Sequence, residues 1–158
     1  MTNRCGECNL CCKLPDIAEL SKPANQWCSH CDIGKCCRIY ETRPTPCRDF
    51  ECLWLESQRE KRPLPAELRP DRSKMMLTFA ENRRDVLGYC DPGAPDAWKN
   101  PAMLRLLHVL ASQGLRVMFG TGRGYFAVDR DRIRPAELSD PDATGERHFV
   151  RFLDGDKA

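Results

Sequence analysis

Residues 5–12 read CGECNLCC. Half of these positions are cysteine, and six more cysteines follow by residue 52. Cys5, Cys8 and Cys11 are separated by two residues each, and Cys12 follows directly. In a C-x-x-C step the chain turns back within one tight loop, so both sulfurs can reach a single ion at about 2.3 Å, the usual zinc–sulfur distance. Two steps in succession present three sulfurs on one side. Cys12 then points elsewhere, toward a second ion or the other edge of a cluster. Cys28 and Cys31 form another such step, followed by Cys36, Cys37, Cys47 and Cys52. Paired knuckles at this separation signal metal far more strongly than a single C-x-x-C does.

The residues around the thiols support that reading. Residues 1–52 hold few aliphatic side chains, namely Leu10, Leu14, Ile17, Leu20, Ile33 and Ile39, and these follow no sustained period. So small a core barely offsets conformational entropy. Bound metal would supply the missing free energy. Residues 1–52 are therefore expected to form an irregular, metal-stapled lobe.

Residues 53–73 begin as a short helix through Glu60 and become punctuated by Pro63, Pro65 and Pro70, which reads as a connector. Residues 74–158 read as a small α+β unit. KMMLTF and VLGYC flank a polar hairpin, and LRVMF and YFAVD flank GTGRG. Between the pairs, Asn100 and Pro101 mark a helix start and Gly114 its end, with Met103, Leu104, Leu107, Leu110 and Ala111 on one face. The expectation is an antiparallel sheet with one helix, in the order ββαββ. A polar tail follows, in which only HFVRFL could add an edge strand.

Composition bounds the function classes. The 158-residue chain has mean hydropathy −0.57, and no apolar run approaches the roughly 20 residues needed to span a bilayer. No apolar leader precedes Cys5, and Thr2, Asn3 and Arg4 do not resemble a lipid-attachment site. A cytoplasmic protein with reduced thiols is expected, so the eleven cysteines favour metal over disulfides. The net charge is +2, yet residues 1–52 carry seven basic and seven acidic side chains. Eight thiolates around two divalent ions would contribute about −4, which argues against nucleic-acid binding by this lobe. Residues 53–84 carry eight basic and five acidic side chains, too interspersed for a nucleic-acid footprint.

Thiolate-rich sites suit zinc or iron–sulfur clusters alike. The opening C-x2-C-x2-C also begins the bacterial ferredoxin run, but that run continues x3-C-P, and Cys12 interrupts it. Copper(I) storage is a third option, although ordered loops such as IYETRP are not its usual setting.

CGECNLCC, WCSHC and CRIYETRPTPCRDFECLWL together resemble the CxxCxxCC cysteine-cluster family, also called YkgJ-like, over residues 5–55. Its members are described as zinc- or iron-chelating proteins, and a related cluster occurs in flagellin lysine methylases. The resemblance implies Cys5, Cys8, Cys11, Cys12, Cys37 and Cys47 as ligands to one or two zinc or iron ions. It adds Cys28, Cys31 and Cys52 as further ligands, marks Tyr40, Arg43, Pro44 and Arg48, and implies no reaction. Cys36 occupies a position where a small residue is expected.

Arg43 and Arg48 flank Cys47, where a guanidinium can donate to sulfur and offset negative charge; surface pairing with Glu41 or Asp49 is the alternative. Tyr40 and Pro44 read as shaping the turn between Cys37 and Cys47. His30, His108 and His148 read as surface or packing residues, Cys90 as a small buried hydrophobe, and GTGRG as a hairpin turn lacking a phosphate loop's strand–helix context. No catalytic motif is present. Three functions remain open: a zinc- or iron-binding protein with a structural or metal-handling role, an iron–sulfur redox component or enzyme accessory, and a zinc-stabilised adaptor.

Overall fold

The computed structural model describes residues 5–155. Thr2, Asn3 and Arg4 lie outside that range. The chain divides into two compact units, Met1–Met76 and Leu77–Ala158.

In the first unit, closely spaced cysteines and prolines leave room only for short elements. Single 3-10 turns occur at Leu10–Cys12, Ala18–Leu20 and Tyr40–Thr42. Strands β1 (Cys31–Asp32) and β2 (Cys36–Cys37) form a two-residue antiparallel ladder around Gly34, whose φ of 74° suits glycine. Pro46 lies in the first turn of helix α1 (Thr45–Asp49), and α2 (Leu53–Ser57) follows Cys52. α2 ends before Glu60 because the Ser57 hydroxyl donates to the Trp54 carbonyl at 2.6 Å and accepts from the Leu64 N–H at 3.1 Å. A 3-10 turn at Ala66–Leu68 leads into α3 (Pro70–Ser73), so residues 53–73 belong to this unit. Leu10, Leu14, Ile17, Leu53 and Leu68 are buried together with Cys8, Cys28 and Cys52. Thiols therefore form part of the interior.

The remaining strands make one six-stranded sheet in sequential order. They are β3 (Met75–Phe79), β4 (Asp85–Cys90), β5 (Arg116–Gly120), β6 (Tyr125–Asp129), β7 (Arg132–Leu138) and β8 (Phe149–Phe152). Helix α4 (Pro101–Ser112) starts as expected, with the Asn100 side chain accepting from the Ala102 N–H at 2.9 Å and Pro101 in the first turn. Gly114 follows its end at φ 85°. The α+β class holds, but the sheet is neither wholly antiparallel nor four-stranded. β4 and β5 run parallel, because the helix-bearing connection returns the chain to the end of the sheet where β4 began.

The pleat separates two apolar faces. Leu87, Met118, Ala127 and Ala136 cluster on one, covered by Leu138, Phe149 and Phe152. Val86, Val117 and Phe119 alternate with them, and α4 packs on β5 and β6. β7 arises from a stretch expected to be a polar tail. Its alternation hides an inward Arg134, only 8% exposed, whose guanidinium pairs with Asp129 at 2.5 Å and Asp154 at 2.8 Å and lies 4.1 Å from the Phe152 ring centroid. Among the described residues, no helix is long and apolar enough to cross a membrane.

Candidate metal centre

The first knuckle closes through a Cys8 N–H to Cys5 carbonyl bond of 3.1 Å, with Gly6 at φ 60° making the turn. The second closes likewise from the Cys31 N–H to the Cys28 carbonyl at 3.0 Å. A 2.9 Å bond from the Cys28 N–H to the Cys12 carbonyl ties the knuckles together. Cys37 lies across the ladder from Cys31. Asn9, 6% exposed, secures the hairpin by donating to the Asp32 carbonyl at 3.1 Å and accepting from the Gly34 N–H at 3.2 Å. α1 brings in Cys47 and the start of α2 brings in Cys52.

The thiols surround two cavities. One, of about 460 Å³, is lined by Cys5, Cys8, Cys11, Cys47 and Cys52 together with Tyr40, Arg43 and Arg48. The other, of about 220 Å³, is lined by Cys5, Cys8, Cys11, Cys12, Cys28, Cys37 and Cys47. Cys31 joins through hydrogen bonding, its thiol donating to the Cys12 sulfur while the Cys12 thiol donates to Cys11. All nine proposed ligand cysteines are thus gathered in the first unit. Cys36 is exposed, and Cys90 is buried in β4 of the second unit. Among the described residues no disulfide forms.

The surroundings of Cys5, Cys8, Cys12, Cys31, Cys37, Cys47 and Cys52 favour the protonated thiol in the absence of a cation. Burial, reinforced by Cys52 and Cys8, pushes Cys5 up to about 12. Burial likewise raises Cys8 to about 11 and Cys31 to about 12, and it raises Cys37, Cys47 and Cys52. Cys12 is raised chiefly by its bond to Cys11 and then by burial. A divalent ion reverses this balance, because a coordinated thiol is deprotonated outright.

Three polar residues around the site carried no sequence signal. Lys22 is 6% exposed, and its ammonium donates to the carbonyls of Lys13 at 2.9 Å, Pro23 at 2.7 Å and Pro15. Burial lowers its pKa, while nearby Cys28, Cys12 and Cys47 act to raise it. Asp71 interacts with the Cys8 thiol; burial raises its carboxyl pKa, but the Arg69 guanidinium outweighs this and holds it below the usual range. Asn9 is the third. Arg43 lies 3.7 Å from the Tyr40 ring centroid and donates to the carbonyls of Tyr40 at 2.8 Å and Cys47 at 3.3 Å, so it acts on Cys5, Cys37 and Cys47 by charge. Arg48 donates to the Thr45 hydroxyl at 3.4 Å.

The second unit holds another group of potential ligands. Asp142, Glu146 and His148 place their ligand atoms within 4.8 Å of one another. His148 therefore has carboxylate neighbours. Asp142 pairs with His148 Nε2 at 2.8 Å and accepts from the N–H groups of Thr144 and Glu146, while Glu146 accepts from the Glu81 N–H at 2.8 Å. These bonds account for the turn. No family model, curated protein or solved structure matches this chain.

Proposed function

We propose that the first unit binds metal, holding zinc or iron through Cys5, Cys8, Cys11, Cys12, Cys28, Cys31, Cys37, Cys47 and Cys52, in a structural or metal-handling role. The observation that carries this reading is the convergence of eight of these thiols on two adjoining cavities, with Cys31 hydrogen-bonded to Cys12 among them, and no disulfide between any of the nine. Soft thiolates in such number match zinc and iron. The likeness of residues 5–55 to CxxCxxCC cluster proteins points the same way.

So many thiols favour closed coordination over the open position a catalytic ion keeps. Substituting Cys5→Ser together with Cys8→Ser is expected to lower bound metal and expose residues 5–76 to protease. Unchanged metal content sinks the assignment. The breadth of the larger cavity, about 460 Å³, favours a second reading in which an iron–sulfur cluster serves a redox partner or enzyme. Acid-labile sulfide in the purified protein distinguishes it.

A further inference from the structure

The thiols fall into two groups. Cys28 and Cys31 share a knuckle turn, the Cys28 N–H bonds to the Cys12 carbonyl, Cys31 faces Cys37 across the ladder, and the Cys31 thiol donates to Cys12. Cys12, Cys28 and Cys37 line only the smaller cavity. Cys47 lines both, and α1 carries it in directly after the Tyr40–Thr42 turn that follows Cys37. The other group is Cys5, Cys8 and Cys52. Cys5 and Cys8 share the first knuckle turn and line both cavities, and Cys52 lines only the larger. Cys11 borders both cavities.

Lys22 lies beside the first group, its ammonium bonded to the Lys13 and Pro15 carbonyls, and Asp71 adjoins Cys8 of the second, while Arg43 acts on thiols of both.

We propose that this chain holds two separate divalent-ion centres: a first drawing four ligands from Cys12, Cys28, Cys31, Cys37 and Cys47, and a second formed by Cys5, Cys8 and Cys52, completed by Cys11. Four thiolates satisfy a closed tetrahedral ion at each. The division rests on the metal-binding reading and goes beyond it by fixing nuclearity and ligand allocation.

The test uses reduced, metal-free full-length protein titrated anaerobically with Zn²⁺ and followed by native mass spectrometry. The wild type is expected to take up two ions, and Cys52→Ser and the double variant Cys28→Ser with Cys31→Ser one each. Wild-type saturation at one ion overturns the division while leaving metal binding standing; no uptake of zinc or iron overturns both. Because a variant can fail to fold, the wild type is also alkylated with iodoacetamide at one equivalent of Zn²⁺. Protection should appear within one molecule as either the first or the second group. Molecules in which Cys52 and Cys28 are protected together by a single ion contradict the proposal.

Discussion

Lys22 is the clearest case of a residue whose cost reveals its use. Burying an ammonium is unfavourable unless its donors are satisfied, and here three carbonyls satisfy them beside a group of thiols. Lys22→Met leaves those carbonyls without a donor and is expected to destabilise the first unit by about 1–3 kcal/mol, the typical cost of an unsatisfied buried group. It should also weaken metal uptake, since a positive charge near Cys12, Cys28 and Cys47 is lost; chemical denaturation and a chelator competition read the two effects. An unchanged competition curve would make Lys22 purely structural.

The thiols themselves predict opposite pH behaviour with and without metal. Cys5, Cys8 and Cys31 lie at about 12, 11 and 12 in the folded protein, above the ordinary 9.0. A raised thiol pKa contributes stability below pH 9, and that contribution is lost as pH climbs toward the folded values, because the unfolded chain ionises first. Metal-free protein should thus weaken from about pH 9 upward. Metal uptake displaces those protons, so apparent zinc affinity should rise about tenfold per pH unit for each proton released. Calorimetry in buffers of different ionisation enthalpy counts the protons; no release would contradict thiol ligation.

At the scale of elements, short turns set the cysteine geometry. Asn9→Ala removes both side-chain bonds that hold the 31–37 hairpin and should loosen it by about 1–3 kcal/mol. The thermal midpoint of the metal-loaded protein measures this. Helix α4 was legible because Asn100, Pro101 and Gly114 punctuate an apolar period. The Ala80–Arg84 and GTGRG turns were legible for the same local reasons. β7 was hidden, since inward Arg134 breaks the apolar alternation and depends on Asp154, twenty residues away. Parallel pairing of β4 with β5 was equally hidden because each strand pattern specifies a face but not its neighbour's direction. In the site, cysteine spacing exposed the donors, whereas Lys22 and Asp71 act through tertiary placement that no spacing records.

At the scale of the molecule, the two units draw their stability from different sources. The second has a sheet with apolar faces and a helix, while the first relies on short elements around thiols. Chelation is therefore expected to increase protease cleavage within residues 5–76 and leave 77–155 resistant, as peptide mapping would show. Arg134→Met should have the converse effect, lowering the melting temperature of the second unit without changing bound metal.

The most direct measurement is anaerobic purification followed by elemental analysis and an absorption spectrum on the same sample. Bound zinc or iron, lowered when Cys5 and Cys8 are both replaced by serine, is the predicted result. A metal-free protein whose residues 5–76 resist protease, and which takes up neither zinc nor iron after reduction, would contradict the account.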